Sequence, residues 1–237
     1  MTTLLATLSE RKDDFNFHFA LAQSMEGRLL AGDPVSIGET ALTARHLMTM
    51  KSGLIVHLYN VVEALMSRTL DEVGSAVKSA PPEQWAAYTL KEWLRFSASL
   101  SLEGNEETRL DVVQRAALQL LKAEPIGKLQ FKKPSGTWSD KLIYQFSRRL
   151  NVTFDLTPEM AIKIQKKPVY GDQSPLEFLA DRRNAIAHGR RSFEAGANDL
   201  SLPNIQELAS VTLDYMEFAI TAFQKFVDEK RYMVAVN

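Results

Sequence analysis

The segment Arg183-Asn184-Ala185-Ile186-Ala187-His188 places an arginine, a second polar side chain and a histidine within one short stretch. Arginine carries a permanent charge on a planar group whose N–H donors match a phosphate. Histidine can accept or donate a proton near neutral pH. These two groups suffice for RNA cleavage without a metal, because a base can remove the ribose 2′-hydroxyl proton while a cation stabilises the charged phosphorane. The segment therefore predicts phosphodiester chemistry at Arg183 and His188.

The spacing of these two residues limits how they can act together. On a regular helix, five residues at about 100° each place Arg183 and His188 roughly 140° apart. Convergence on one phosphate requires that the helix end near His188, or that another subunit supply a second copy of the motif. A non-catalytic interpretation is that Arg183 pairs with Asp181 or another surface acid, and that His188 is a polar residue at a helix end.

The residues around the motif carry signals for both ends of a helix. Ser174, Pro175 and Glu177 have the pattern of an N-terminal capping box with proline at the first helical position. Gly189 fits the end of a helix, and Arg190-Arg191 follow where cations favour the negative end of the helix dipole. Apolar residues recur at helical spacing in between, so the segment is predicted to be an amphipathic helix.

Arg183, Asn184 and His188 resemble the R-(polar)-x-x-x-H motif of the HEPN superfamily, which comprises all-helical domains, many of them endoribonucleases. The resemblance implies metal-independent endoribonucleolysis that leaves a 2′,3′-cyclic phosphate and a 5′-hydroxyl. In that reaction His188 is the general base or acid, Arg183 holds the scissile phosphate and stabilises its transition state, and Asn184 positions the phosphate or the motif helix.

The resemblance also implies the partners of the protein. Two HEPN protomers typically pair their motifs at a dimer interface, so a homodimer with RNA as its substrate is expected, and no cofactor. Bacterial members often serve as toxins in toxin–antitoxin pairs or in anti-phage defence, which implies an antitoxin or defence-system protein as a further partner. The alternatives are a non-catalytic helical dimer that binds RNA or protein, and an unrelated helical regulator.

Four further residues are candidates for supporting the motif or contacting RNA. Arg182, Arg190 and Arg191 lie beside the motif in the sequence. Glu63 lies in the most apolar part of a long predicted helix, and buried carboxylates usually need a partner. We favour a solvent-exposed or structural role for Glu63. The alternative is that it orients the motif's arginine or histidine, if its helix packs against the motif helix.

Apolar residues at helical spacing run through most of the chain and predict an all-α bundle that resembles HEPN proteins in its helix order. Residues 125–172 differ, because they hold prolines, glycines and basic pairs around two shorter helices. We expect them to form a partly helical basic insertion packed on the bundle, before the motif helix and within a single domain of residues 1–237. The predicted helices span about 3–30, 39–73, 81–100, 105–122, 139–150, a short piece after Thr157, 174–188 and about 26 residues from Pro203.

Composition excludes several classes of function. The chain has no cysteine, which removes disulfides and thiolate metal sites. Walker, dinucleotide-binding, H-E-x-x-H and G-x-S-x-G motifs are absent from the sequence. The net charge of −1 argues against a generally basic nucleic-acid binder, yet residues 128–191 hold 13 Lys and Arg against 6 Asp and Glu. That asymmetry is compatible with a local phosphate-binding face or with solvated surfaces.

The N-terminal residues become charged too soon for a signal peptide. The longest apolar run, residues 54–66, is interrupted by polar residues and is too short to span a bilayer. We therefore expect a cytoplasmic protein that does not insert into a membrane.

Overall fold

The computed structural model describes residues 2–99, 106–122 and 136–234, together with residues 126, 129 and 131. Within these residues the structure is about 71% helical, with eight α-helices and a single two-stranded hairpin. The predicted all-α class is therefore confirmed. In the part of the chain described, no helix is both long and apolar enough to cross a membrane.

The elements follow one another as a series of helices with the hairpin near the N-terminus. Two 3-10 turns, at Pro82–Gln84 and Pro168–Tyr170, precede the third and seventh helices. The order is α1 (Thr2–Ala31), β1 (Ser36–Ile37), β2 (Thr40–Ala41), α2 (Ala44–Lys78), α3 (Ala87–Ser99), α4 (Glu106–Leu121), α5 (Asp140–Arg149), α6 (Pro158–Lys163), α7 (Pro175–Ala187) and α8 (Leu202–Asp228).

The long helix α2 lies at the centre of the bundle and packs against α1, α7 and α8. Leu58 and Leu65 on α2 and Phe223 and Phe226 on α8 are completely buried. Burial of one such side chain contributes about 1.5–3 kcal/mol of hydrophobic free energy. This shared core holds α7, the helix that carries the arginine–histidine motif, in a defined position against α2.

The segment before α2 differs from the prediction, which began the second helix at about residue 39. Ser36 pairs with Ala41 in an antiparallel hairpin instead, because Gly38 adopts a positive φ of 57° that a tight turn requires. Helix α2 then begins after Thr43, whose backbone N–H donates to the ring of His46 at 3.1 Å in a capping box.

The section between α4 and α7 contains the two short helices expected there, α5 and α6. Ile143 and Phe146 of α5 are fully buried in the same apolar cluster as the residues of α2 and α8. The basic pair Lys132-Lys133 lies outside the described residues, whereas Lys167 forms an ion pair with Glu207 at 2.6 Å. The assignment of residues 1–237 to a single domain, with residues 125–172 as an insertion, stays a prediction.

Candidate active site

Helix α7 begins with the capping box that the sequence predicts. The Ser174 hydroxyl accepts a hydrogen bond from the Glu177 N–H at 3.2 Å, and the Glu177 carboxylate accepts from the Ser174 N–H at 3.3 Å. The helix ends at Ala187, with His188 as its C-cap and Gly189 in the left-handed region at φ 69°. Arg183 thus lies within the last turns of a regular helix, and His188 lies directly at its end.

Arg183 is directed towards α2. Its Nη2 donates to the Glu63 carboxylate at 2.6 Å and its Nη1 donates to the Asn184 side-chain oxygen at 3.1 Å. The guanidinium also lies over the Tyr59 ring, 4.8 Å from the ring centre. Since a guanidinium has five N–H donors and the side chain is 24% exposed, a phosphate can still be bound without breaking either bond.

Tyr59 and Asn184, which both contact the Arg183 guanidinium, are themselves held in place by hydrogen bonds. The Tyr59 hydroxyl accepts from the backbone N–H of Trp138 at 3.0 Å, and Asn184 Nδ2 donates to the Thr137 hydroxyl at 2.7 Å. Burial, reinforced by the charge of Glu63, raises the pKa of Tyr59 to about 12. Tyr59 therefore stays neutral and presents its ring to Arg183.

His188 is exposed at the end of α7. Its backbone N–H donates to the Asn184 carbonyl at 3.0 Å. Among the described residues, no side chain or carbonyl forms a hydrogen bond or ion pair with the His188 ring. Because the ring is accessible and uncommitted, it can exchange a proton with a bound substrate.

Arg183 and His188 nevertheless remain on different sides of their helix. The chain is helical through Ala187, and His188 keeps near-helical angles of φ −96° and ψ 10°. The helix end at Ala187 therefore does little to reduce the separation of roughly 140° that regular helical geometry imposes. One chain by itself does not direct both groups at one phosphate.

The neighbouring arginines have different environments. Arg182 is buried, and its guanidinium donates to both carboxylate oxygens of Asp199, at 2.5 and 2.8 Å, and to the Gly196 carbonyl at 2.9 Å. These bonds lower the pKa of Asp199. Arg182 accordingly supports the loop between α7 and α8. Of the two roles predicted for Arg182, support of the motif region fits a buried guanidinium that makes a bidentate ion pair, and contact with RNA does not.

Arg190 and Arg191 lie at the surface or close to it. Arg190 approaches Asp181 at 3.5 Å with both side chains more than half exposed. Arg191 donates to the Ala195 carbonyl at 3.2 Å. Because exposed ion pairs of this kind are weak, Arg190 is the flanking arginine best able to contact a phosphate backbone.

Glu63 is partly exposed and forms an ion pair with Arg183, so its contact is with the motif arginine, and whether its role is structural or orienting stays a prediction. The structure also shows that the acid paired with Arg183 is on another helix, and that Asp181 contacts Arg190 instead. Sequence reasoning missed Tyr59, although its position four residues before Glu63 places both side chains on one face of α2.

The site contains no evident metal centre. Within the described residues, no group of three or more histidine, aspartate or glutamate side chains could hold a metal ion. His46 and His57, which are eleven residues apart on α2, are separated by about 16 Å of helical rise.

A helical bundle with Arg-Asn-x-x-x-His at the end of a buried helix has the features of a HEPN-domain protein. A family model described as HEPN_MAE_28990-like HEPN matches residues 1–232, and the chain belongs to this family. Searches of curated proteins and of solved structures give no significant match.

Proposed function

We propose that this HEPN protein is a metal-independent endoribonuclease whose active site combines Arg183 of one subunit with His188 of another. The observation that carries the proposal is the contrast between the two side chains. Arg183 is oriented by Glu63, Tyr59 and Asn184 but keeps unused N–H donors, whereas the ring of His188 is exposed and uncommitted. An oriented cation and an accessible proton carrier are the two groups that the reaction requires.

The reaction follows from these roles. His188 removes the proton from a ribose 2′-hydroxyl, and the resulting oxygen attacks the adjacent phosphorus. Arg183 donates to the non-bridging oxygens and stabilises the negative charge that develops on them. The bond from phosphorus to the 5′-oxygen breaks, and that oxygen takes up a proton from a protonated imidazole or from water. The products are a 2′,3′-cyclic phosphate and a 5′-hydroxyl.

The need for a second subunit follows from the geometry of α7. Because Arg183 faces α2 and His188 follows at the end of the same helix, the two groups diverge within one chain. Two copies of α7 related by a two-fold axis would place the arginine of each beside the histidine of the other. A homodimer is therefore part of the proposed function.

A non-catalytic module that binds RNA or protein is the alternative function. It is favoured by the ion pair between Arg183 and Glu63 and by the packing of the guanidinium on Tyr59, since a purely structural arginine has such contacts. The two proposals differ in what happens to bound RNA.

By analogy with other HEPN proteins, the biological role proposed is that of a toxin or an anti-phage defence effector. An active ribonuclease must be restrained until it is needed, so an antitoxin or a defence-system protein is the proposed partner. The family assignment is the basis of this analogy, since it makes the chain a HEPN protein.

The test is RNA cleavage in excess chelator by the wild type, Arg183→Ala and His188→Ala, with Lys225→Ala, at an exposed lysine near the end of α8, as the control. Loss of cleavage in the first two variants, retention in the control, and cyclic phosphate ends on the products would support the proposal. Cleavage that persists in both motif variants would overturn the assigned site. RNA binding without cleavage by any form would favour the binding module.

A further inference from the structure

The side chains that contact Arg183 belong to a closed ring of hydrogen bonds. The members of this ring are Arg183, Asn184, Thr137, Trp138, Tyr59 and Glu63. On one side, Arg183 donates to Asn184 at 3.1 Å, and Asn184 donates to the Thr137 hydroxyl at 2.7 Å. On the other side, Arg183 and the Tyr59 hydroxyl both hydrogen-bond the Glu63 carboxylate. The Tyr59 hydroxyl also accepts from the Trp138 N–H at 3.0 Å. Because Thr137 and Trp138 are adjacent in the sequence, the peptide between them closes the ring.

The segment that closes the ring is held by structure outside the motif helix. Gly136 has a φ of 109°, in a region that side-chain-bearing residues rarely adopt, so the chain can turn just before Thr137. Trp138 is buried and packs edge to face on Phe146 of α5, with 6.1 Å between the ring centres. Ser139 is the N-cap residue of α5. The position of the Thr137 hydroxyl is therefore set independently of α7.

The orientation of the Asn184 amide depends on this hydroxyl. A side-chain amide has one acceptor group and one donor group, whereas a guanidinium has donors only. Oδ1 of Asn184 must therefore face Arg183, and Nδ2 must face an acceptor, which is the Thr137 oxygen. A reversed amide would place two sets of donors against each other. Thr137 thus holds Asn184 in the orientation that accepts from Arg183.

The bond from Asn184 to Thr137 lies in the half of the ring that solvent reaches. Tyr59 and Trp138 are buried, whereas Thr137, Arg183 and Asn184 are partly exposed. A hydrogen bond that water can replace contributes little net free energy to folding. The main effect of the Thr137 hydroxyl is therefore on the direction of its neighbours rather than on the stability of the fold.

We propose that Thr137 is a positioning residue for RNA cleavage. By holding the Asn184 amide, its hydroxyl fixes the direction in which the Arg183 guanidinium faces the scissile phosphate. This role rests on the proposed nuclease, and it adds a residue from outside α7 to the groups that prepare the site. Thr137 acts through Asn184 and needs no contact with the RNA. The section over 125–172 thereby contributes to the active site as well as to the core.

Steady-state cleavage of a short RNA by two Thr137 variants tests the hydroxyl. Thr137→Val replaces it with a methyl group of similar size, which leaves Asn184 Nδ2 without its acceptor. We expect kcat to fall about 5- to 20-fold and KM to stay within about twofold, since the cation still meets the phosphate but is less well oriented. Thr137→Ser keeps the hydroxyl and should restore kcat to within about twofold of wild type. A serine variant as defective as the valine variant would overturn the role of the hydroxyl.

Thr153→Val is the matched control. The Thr153 hydroxyl accepts from Arg231 at 2.7 Å, the same length as the bond from Asn184 to Thr137, but it lies outside the ring. The control should keep the wild-type kcat. Equal falls of kcat in the two valine variants would contradict a specific role for Thr137.

A double-mutant cycle tests the route through Asn184. Introduced into Asn184→Ala, the substitution Thr137→Val should change kcat by less than about twofold, because the group through which Thr137 acts is already absent. Falls that multiply in the double variant would show that Thr137 does not act through Asn184.

NMR relaxation of the Arg183 side chain separates this role from the proposed function, because it needs no RNA. The order parameter of the Arg183 Nε–H, assigned by the loss of its signal in Arg183→Lys, should fall in Thr137→Val and stay unchanged in Thr137→Ser and Thr153→Val. A residue that only stabilises the fold would shift the thermal unfolding midpoint without this change.

The two proposals can therefore fail separately. If the wild type cleaves RNA and Thr137→Val keeps both kcat and the order of Arg183, the positioning role is overturned and the nuclease is not. If no form cleaves RNA, the nuclease is contradicted, and the NMR comparison alone supports or overturns the positioning of Arg183 by Thr137.

Discussion

Glu63 on α2 accepts a hydrogen bond of 2.6 Å from Arg183 on α7, across 120 residues of sequence. Both side chains are partly exposed, at 32% and 24%. Ion pairs in contact with solvent contribute little to folding stability. The principal effect of this pair is therefore to fix the direction of the guanidinium.

Glu63→Gln should test whether the Glu63 carboxylate positions the Arg183 guanidinium for cleavage. The amide keeps the size of the side chain but loses the charge that holds Arg183 and competes with phosphate. We expect kcat for RNA cleavage to fall about 10- to 100-fold, because the cation is less well oriented. KM should not rise, because a negative charge beside the bound phosphate has been removed. Steady-state cleavage of a short RNA measures both quantities.

Glu229→Gln is the control for this substitution, since Glu229 lies at the end of α8 and forms an exposed ion pair with Lys225. It should leave kcat and KM unchanged. A Glu63→Gln protein with wild-type kcat would contradict the positioning role.

Subunit mixing should restore activity to inactive variants if the site is shared between chains. Arg183→Ala keeps His188, and His188→Ala keeps Arg183, so their heterodimer has one complete composite site. With random exchange of subunits, an equal mixture should recover about a quarter of wild-type cleavage. The rate of the mixture is compared with the rate of each variant alone. Two inactive variants that stay inactive after verified subunit exchange would show that each site belongs to one chain.

Local signals in the sequence were sufficient for the helix that carries the motif. The hydroxyl of Ser174 and the carboxylate of Glu177 act within one turn, so their capping box can be recognised from neighbouring residues. The same holds for Gly189 at the helix end. Hydrophobic spacing likewise predicted the helical class, because a buried stripe is a periodic property of each segment.

Contacts between residues that are far apart in the sequence could not be predicted from such local signals. Glu63 and Asp181 were both available acids for Arg183, and only the packing of α2 on α7 selects Glu63. The motif spacing distinguishes Arg183 from Arg182, but the bonds of Arg182 to Asp199 and Gly196 depend on which face of α7 is buried and could not be predicted from adjacent residues. The hairpin before α2 was missed because its strands have two residues each, too few to show an alternating pattern.

Arg182→Met should reduce stability without altering the active site. The substitution removes two charge-assisted hydrogen bonds to Asp199 and one to the Gly196 carbonyl. We expect the free energy of unfolding to fall by about 1.5–3 kcal/mol, measured by denaturant titration at neutral pH. Arg190→Met, at a 60% exposed side chain, should change it by less than about 0.5 kcal/mol. The reverse order of these two effects would contradict the assigned roles.

The lowered pKa of Asp199 should make the stability difference between the wild type and Arg182→Met depend on pH. Because Arg182 lowers this pKa, the charged carboxylate stabilises the folded protein above its unfolded pKa of about 3.9. That contribution is lost as the pH falls through the lower folded value. The stability difference between the wild type and Arg182→Met should therefore shrink at acidic pH, and a difference that is constant from pH 7 to 3 would contradict the pairing.

Tyr59→Phe should act on stability at alkaline pH as well as at neutral pH. At pH 8 the variant leaves the Trp138 N–H without the hydroxyl that accepts its hydrogen bond, which should cost about 1–3 kcal/mol of unfolding free energy. The folded pKa of Tyr59 is about 12, above the unfolded value of about 10. Stability from the neutral hydroxyl is thus complete below pH 10 and is lost as the pH rises towards 12. The wild type should therefore lose more unfolding free energy than the variant between pH 10 and 12, as denaturant titrations at several pH values can measure. Equal losses in both proteins would show that this hydroxyl is not held as the structure describes.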